Sequence, residues 1–301
     1  MRCDRFIDRI NRTAGGCIIC YHHISSRALE AQLRSTSRRY TICSLDEIVS
    51  RLEDGKTTAG LMAVTFDDGF AREVEIGSAL AVEYGWPMTF YLPTEFILSG
   101  QVPWFEEVGC LFKAAPGGEY KLDNLFLKLS HQSSRAAARN RVVRHLFYRP
   151  RAEIQGLMSE LRQTLFGSIH RPADIQTPEP ISARRVKELS EHQQISFGVH
   201  SESHPFFCTL SEEEIHREME QSRRLVEEMI GSRAEHFCYP YGDARSIGAQ
   251  APKIAGDLFR SSTTALRGRC RPEVDLAMLP RIALFEHDTA AMAGLRVGIV
   301  R

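Results

Sequence analysis

The sequence lacks an excess of charge, a long apolar run and an apolar N-terminal segment. Its 301 residues include 38 Lys+Arg and 38 Asp+Glu, so the net charge of +0 gives no indication of a nucleic-acid partner. Apolar runs stay shorter than the about 18 residues of a transmembrane helix, so we expect none. The N-terminal stretch MRCDRFIDRINRTAGG has no apolar core of the secretory-signal type. We therefore expect the protein in the cytoplasm, either free or at the periphery of the inner membrane.

A disulfide framework is also not expected. The eight cysteines stand mostly in apolar surroundings, as in GCIICY and HFCYPY, and this favours buried free thiols in a reducing compartment. Cys17 and Cys20 form a C-x-x-C motif, but a strand is its expected context. Successive strand residues point to opposite faces, so the pair is not predicted to bind a metal.

Short apolar runs of strand length recur along the chain, with helical patterns between several of them. The predicted strands are CIICY (17–21), LMAVTF (61–66), PMTFYL (87–92), QISFGVH (194–200), HFCYPY (236–241) and LPRIALF (279–285). The clearest predicted helices are SLDEIVSRLEDG (44–55), AREVEIGSALAVEYG (71–85) and SEEEIHREMEQSRRLVEEMIG (211–231). This alternation predicts an α/β fold with parallel strands.

One stretch, from about 98 to 180, breaks the alternation. It is rich in helix formers and arginine, as in SSRAAARNRVVRHLFYR, and it ends in the proline-containing TPEPIS. We interpret it as a helical insertion within a single domain that spans residues 1–301.

Two motifs place polar side chains at predicted strand ends. VTFDDGF (64–70) contains Asp67 and Asp68, and GVHSESHPF (198–206) contains His200 and His204 four positions apart. In a helical turn that spacing would put both imidazoles on one face. Alone, the first motif is also typical of a turn or helix cap, and the second of surface histidines. Together they favour a metal site, because two imidazoles and a carboxylate are a common zinc ligand set and the carboxyl ends of parallel strands meet at one edge.

Adjacent aspartates repel each other unless a cation offsets their charge. We expect one aspartate to bind the metal and the other to take a proton from metal-bound water, whose pKa falls from about 15.7 towards roughly 7. The pattern therefore predicts a hydrolase with one divalent metal ion, and the ligand set favours zinc.

TFDDG followed by H-S-x-x-H resembles the polysaccharide deacetylase family, the NodB homology group or carbohydrate esterase family 4. HFCYPYGD (236–243), CYHHI (20–24) and LPRIALF (279–285) resemble further strands of that family, in the expected order. The resemblance implies a distorted (β/α)7-type barrel. It also implies removal of acetyl groups from an N-acetylated sugar in a polysaccharide. Because the N-terminal stretch shows no secretory signal, we also consider a lipid- or nucleotide-linked precursor of exopolysaccharide synthesis as the substrate.

The resemblance also implies roles for individual residues. Asp67 corresponds to the catalytic base, and the metal ligands correspond to Asp68, His200 and His204. Tyr241 stands where the backbone of family members helps to hold the oxyanion. Many members place an arginine that pairs with the base where this chain has Cys238, and Arg281 is the expected substitute. His22 is the expected general acid, and His287 is the alternative.

Several alternatives stay open at the level of sequence. Trp104 could be a platform for a sugar ring or part of the core of the insertion. The chain could instead be a C–N hydrolase for a cyclic imide or ureide, since relatives with that activity lack the arginine. It could also be a non-catalytic glycan-binding homologue, although all four residues of the two motifs are present. The expected partner is an N-acetylated glycan or glycan precursor, and the oligomeric state is open.

Overall fold

The computed structural model describes residues 15–167 and 175–298. The ends of the predicted 1–301 domain and residues 168–174 lie outside this part of the chain. The strands are β1 (Cys17–Tyr21), β2 (Thr41–Ile42), β3 (Leu61–Phe66), β4 (Met88–Leu92), β5 (Glu119–Leu122), β6 (Leu125–Lys128), β7 (Ile195–Val199), β8 (His236–Cys238), β9 (Ser261–Thr263) and β10 (Ile282–Ala283).

Helices surround the strands and connect them along the chain. They are α1 (Ser26–Thr36), α2 (Leu45–Glu53), α3 (Ala71–Tyr84), α4 (Thr94–Ser99), α5 (Trp104–Ala114), α6 (Gln132–Leu146), α7 (Arg151–Phe166), α8 (Ala183–Ser190), α9 (Glu212–Ile230), α10 (Ala244–Ile247), α11 (Ala251–Leu258) and α12 (Ala290–Gly298), with 3₁₀ turns at Phe207–Thr209 and Leu276–Met278. No helix among these described residues is both long and apolar enough to cross a bilayer.

The main sheet is parallel and forms the barrel predicted for the chain. Its strand order is β10-β1-β3-β4-β7-β8-β9, with β2 paired to β3. Leu279 pairs with Thr263 of β9, and Ile282 pairs with Ile19 of β1, so the segment before and within β10 joins the two ends of the sheet. The prediction of a distorted (β/α)7-type barrel is confirmed.

Sequence chemistry explains why the strands and helices form where they do. Every side chain of β1 is buried, as is typical of a parallel strand covered on both faces. Helix α9 begins at a capping box between Ser211 and Glu214 and ends at Gly231, whose φ of +73° suits glycine. These local signals fix the helix ends, and the buried apolar stripe of the helix packs it against the sheet.

Residues 104–166 form a compact unit between β4 and β7. It contains α5, α6 and α7 and an antiparallel hairpin of β5 and β6, which the sequence pattern did not predict. The unit has its own buried apolar cluster, and that cluster includes Phe206 from the loop after β7. The insertion therefore packs against the carboxyl end of the barrel strands.

Candidate active site

Apart from His287, the predicted site residues meet at the carboxyl edge of the barrel sheet. Asp67 and Asp68 directly follow β3, and His200 directly follows β7. Cys238 ends β8, and Arg281 directly precedes β10. This edge is where parallel barrels assemble their active sites, because the strand ends and the loops after them converge there.

Asp68, His200 and His204 form a buried set of three potential metal ligands. The Nε2 atoms of His200 and His204 lie 3.5 Å and 3.4 Å from Asp68 Oδ1. These separations are long for hydrogen bonds, whereas ligand atoms held about 2.1 Å from a tetrahedral zinc lie roughly 3.4 Å apart. The donor set and its spacing therefore fit a divalent metal such as zinc.

Different contacts hold the imidazole rings of His200 and His204 in place. His200 Nδ1 donates to the Cys238 carbonyl oxygen at 2.7 Å, which leaves the Nε2 lone pair facing Asp68. His204 Nδ1 is buried and has no hydrogen-bond partner among the described residues. Its ring is held instead between Phe105 and Tyr241, at centroid distances of 4.9 Å and 4.7 Å.

Asp67 pairs with Arg281 rather than with the metal ligands. Arg281 Nη1 and Nη2 donate to the two Asp67 carboxylate oxygens, both at 2.7 Å, and the two side chains are only 2% and 3% exposed. Arg281 Nε also donates to the Thr264 carbonyl at 2.8 Å, which fixes the guanidinium plane. Burial by itself would raise the pKa of Asp67, but the Arg281 charge lowers it to about 2.

The neighbouring aspartates are therefore stabilised separately. Burial would raise the pKa of Asp68 too, but its contacts with His200 and His204 bring that pKa well below its usual range. Asp68 has a φ of +69°, and this left-handed turn directs it away from Asp67 towards the histidines. Each carboxylate thus stays ionised beside its own cationic or metal-binding partner.

Cys238 lies next to this ion pair, where many family members carry arginine. Its Sγ lies 3.1 Å from Arg281 Nη2 and 3.7 Å from Asp67 Oδ1. Asp67, His200 and Cys238 could by composition form a second metal-binding group. The guanidinium of Arg281 already provides a cation there, so the geometry favours the group at Asp68 as the candidate metal position.

The two candidate general acids differ in position. His22 Nε2 lies 3.6 Å from Asp67 Oδ2, just beyond hydrogen-bond distance, and its side chain is 49% exposed. His287 is exposed and stacks on Phe285 at 5.5 Å. Of these two histidines, the structure brings His22 to the aspartates.

His23 faces away from Asp67 and connects the barrel to the insertion. Its ring nitrogens lie 3.0 Å from a Glu106 carboxylate oxygen and 3.5 Å from one of Glu73, and the ring stacks on Phe70. The hydrogen bond with Glu106 and the nearby Glu73 carboxylate raise the pKa of His23 to about 10, which favours the charged imidazole at neutral pH. Because Glu106 belongs to α5, this ion pair joins the insertion to the loop that carries His22.

Tyr241 joins the insertion to the metal-ligand loop. Trp104 Nε1 donates to Tyr241 Oη at 2.8 Å, and Tyr241 Oη donates to the His204 carbonyl at 3.4 Å. The Tyr241 ring stacks on Phe206 at 3.9 Å. Trp104 is thus half-buried in an aromatic cluster, and a role for it as a sugar platform stays a prediction.

The H-x-x-x-H segment does not form the helical turn considered from its spacing. Ser201 and His204 have φ values of +65° and +55°, so the backbone after β7 reverses in a tight loop. His204 N donates to Ser201 Oγ at 3.1 Å, and this bond closes the loop. The two imidazoles converge on Asp68 through this turn rather than through helical spacing.

Strained backbone is concentrated at the site. Among the described residues, six that are not glycine have a positive φ. Four of these belong to the motifs discussed above: Asp68, Ser201, His204 and Tyr241. Such conformations persist where the surrounding contacts hold them, and they occur often at functional sites.

Comparison with known proteins identifies structures that share this fold and a family model that matches part of the chain. The structure resembles that of the Streptococcus pyogenes deacetylase PplD in complex with acetate, with a TM-score of 0.62 and 14% identity over 93% of this chain and 97% of the other. It also resembles IcaB from Ammonifex degensii, with a TM-score of 0.61 and 13% identity over 95% of this chain and 97% of the other. At such identities the likeness establishes the shared fold. The family model described as polysaccharide deacetylase matches residues 161–256.

Residues 161–256 of this chain are thus similar to the polysaccharide deacetylase family. The matched range contains His200, His204 and Tyr241, whereas Asp67, Asp68 and Arg281 lie outside it and are placed by the geometry above. The deacetylase domain of BpsB from Bordetella bronchiseptica is a further structural neighbour, with a TM-score of 0.53 and 11% identity over 89% of this chain and 95% of the other. No curated protein matches the chain.

Sequence reasoning missed Phe105 as part of this candidate site. Phe105 packs against the His204 ring, and the adjacent Trp104 bonds Tyr241. The available signal was the aromatic pair at the start of a helix inside the insertion, but no spacing rule connects that pair to a motif about a hundred positions further along.

Proposed function

We propose that this chain is a metal-dependent hydrolase of the polysaccharide deacetylase family. It would remove N-acetyl groups from a sugar in a polysaccharide, or from its lipid- or nucleotide-linked precursor. The observation that carries the proposal is the separation of two buried, ionised aspartates. Asp68 faces two imidazoles, and Asp67 is bound by Arg281 on the neighbouring side. One carboxylate is thus available to a metal and the other to a proton.

Asp68, His200 and His204 would hold the metal, and we propose zinc because the set contains two imidazoles and one carboxylate. When bound, the metal would polarise the acetamide carbonyl and lower the pKa of a water molecule. Asp67 would accept the proton of the attacking water, and the low pKa imposed by Arg281 keeps it in the ionised form that can accept a proton.

The remaining proposed roles follow from position. His22 would donate a proton to the amine nitrogen as the C–N bond breaks, which releases acetate and a free amino sugar. The backbone N–H of Tyr241 would donate to the carbonyl oxygen as negative charge develops there. The bonds from Tyr241 Oη to Trp104 and to the His204 carbonyl support this role, because they hold the residue in its left-handed conformation.

The alternative of a cyclic imide or ureide hydrolase depended on a missing arginine. Arg281 supplies a guanidinium to Asp67 from a different strand, so that argument no longer favours the alternative. The predicted location in the cytoplasm stays a prediction.

We also propose that the stretch from about 98 to 180 is an insertion within one domain. Three contacts between the insertion and the barrel support this proposal: Trp104 with Tyr241, Glu106 with His23, and Arg151 with Glu95.

The test combines elemental analysis with acetate release from N-acetylglucosamine oligomers. Asp67→Asn removes only the base, so it should keep about one metal per chain while its turnover falls by about 10²–10⁴-fold. His204→Ala should lose both metal and turnover. The matched controls are Asp257→Asn and His192→Ala at exposed positions, which should change neither quantity.

Either of two results would contradict the proposal. Wild-type protein supplied with zinc could fail to bind it. Alternatively, Asp67→Asn could lose the metal and regain activity at high zinc, which would reverse the roles of the two aspartates. Metal binding without acetate release would instead favour a different amide substrate.

A further inference from the structure

The loop that carries both histidines presents two consecutive backbone N–H groups to one carboxylate. Glu202 N and Ser203 N donate to the same Glu218 oxygen, Oε2, at 3.0 Å and 2.9 Å. Ser203 Oγ donates to the other oxygen, Oε1, at 2.6 Å. Successive N–H groups that converge in this way form an anion-binding concavity, and here a side chain of the protein fills it.

Glu218 is held in place by its own helix. It lies on α9, whose capping box and C-terminal glycine fix both ends, and its side chain is among the buried polar groups at 7% exposure. It shares the buried face of α9 with Ile215, Met219 and Ser222, where an apolar residue would be the ordinary choice. A carboxylate on the buried face requires hydrogen-bond partners, and the loop provides them.

Glu218 is not a further metal ligand. Its two oxygens already accept three hydrogen bonds from Glu202 and Ser203. Any effect of Glu218 on the site must therefore pass through the backbone of Ser203 to the residue that follows it, His204. The imidazole of His204 has no acceptor at Nδ1 among the described residues, so its direction depends on its backbone and on aromatic packing.

We propose that Glu218 is a positioning residue that holds His204 in the geometry needed to bind the metal. The proposal rests on the proposed function, because it presumes that Asp68, His200 and His204 bind a divalent ion. Residues 202 and 203 join the two histidines, and His204 has a φ of +55° that it would readily leave if the loop relaxed. Metal ligands must be held within about 0.5 Å of their productive position. Loss of a supporting group typically costs about 10–100-fold in metal affinity.

The experiment measures the zinc dissociation constant by competition with a chelating dye, in the full chain. Glu218→Met keeps the length and burial of the side chain but removes both acceptors, and zinc should bind about 10–100-fold more weakly. Glu220→Met makes the same change at an exposed position of α9 and should stay within about twofold of wild type. Turnover of Glu218→Met should recover when zinc is saturating.

A conservative variant separates hydrogen bonding from charge. In Glu218→Gln the amide oxygen can still accept from both N–H groups, and the amide nitrogen can donate to Ser203 Oγ. We expect this variant to bind zinc within about threefold of wild type. Ser203→Ala removes a single hydrogen bond to a carboxylate and should weaken zinc binding by about three- to tenfold. This variant also tests the proposal if Glu218→Met fails to fold.

The outcomes distinguish this inference from the proposed function. If wild-type protein binds zinc and both Glu218→Met and Ser203→Ala bind it equally well, the positioning role is wrong and the metal site stands. If Glu218→Met folds but its turnover stays lost at saturating zinc, Glu218 does not act through metal affinity, and the inference is also wrong. If wild-type protein itself does not bind zinc, the proposed function fails first.

Discussion

Replacement of Arg281 by methionine should destabilise the protein and make Asp67 harder to ionise. The change leaves a buried carboxylate without the guanidinium that donates to both of its oxygens at 2.7 Å. Breaking a buried ion pair from one side costs about 3–5 kcal/mol. For a chain of this size that corresponds to a fall of roughly 5–10 °C in Tm. The pKa of Asp67 should also rise from about 2 to above its ordinary value, because burial raises it and the largest opposing effect, the charge of Arg281, is removed.

The pH dependence of this effect has a definite sign. In the wild type the pKa of Asp67 is lowered, so the ion pair stabilises the protein above about pH 4, and this stabilisation is lost as pH falls towards about 2. In Arg281→Met the ionised form is the unfavourable one, so the variant loses stability as pH rises above about 4. The difference in Tm should therefore be larger at pH 7 than at pH 4.5. The acidic limb of kcat/KM should move up by about 2 pH units or more.

Arg185→Met provides the matched control. Arg185 makes the same two-pronged contact, at 2.7 Å and 2.9 Å, with Glu75, but it is 39% exposed. Exposed pairs contribute about 0–1 kcal/mol, so this variant should change Tm by no more than about 2 °C and leave the pH profile unaltered. An acidic limb in Arg281→Met that coincides with wild type would refute the assignment of Asp67 as the base paired with Arg281.

Two further predictions concern the groups around the aspartates. His22→Gln should lower kcat for acetate release by about 10²–10⁴-fold and leave the metal content unchanged. His287→Gln should change neither quantity. If His287→Gln lowers kcat and His22→Gln does not, His287 is the general acid. Trp104→Phe removes the indole N–H that donates to Tyr241, a bond worth about 0.5–1.5 kcal/mol, so we expect kcat to fall about two- to tenfold at constant KM. If the effects of Trp104→Phe and Tyr241→Phe on kcat are additive in the double variant, the hydrogen bond between the two side chains is not the cause of the loss.

The barrel could be predicted because its strands carry strong local signals. β1 and β3 consist of continuous apolar runs, and α9 has a capping residue at one end and glycine at the other. β9 was missed because its sequence, SST, is polar, although all three residues are buried. The β5–β6 hairpin was missed although Asp123 and Asn124, between its two strands, are typical turn residues.

The site could be predicted only in part, and the reason is the distance along the chain between its residues. Asp67, Asp68, His200 and His204 each follow a strand, so fold and motif together bring them to one edge. The helical turn considered for the two histidines is wrong, because two residues of that loop adopt left-handed conformations that spacing does not reveal.

Contacts between distant segments account for the rest of the site. His23 meets Glu106 across 83 positions, and Trp104 meets Tyr241 across 137. Tertiary packing decides these contacts, and no local pattern encodes them. The pairing of Arg281 with Asp67 was expected from the family resemblance, and no local pattern in the sequence encodes that pairing either.

The left-handed residues of the site bear on the stability of the fold. A left-handed backbone costs a residue other than glycine about 1–2 kcal/mol, and Asp68, Ser201, His204 and Tyr241 all carry that cost. Against a typical folding stability of about 5–15 kcal/mol, their sum is considerable. Glycine would relieve the backbone cost at Ser201 and Tyr241, but it would also remove the Ser201 hydroxyl that closes the loop and the Tyr241 ring that stacks on Phe206. The side chains at this edge of the barrel therefore offset part of the backbone strain that their own positions impose.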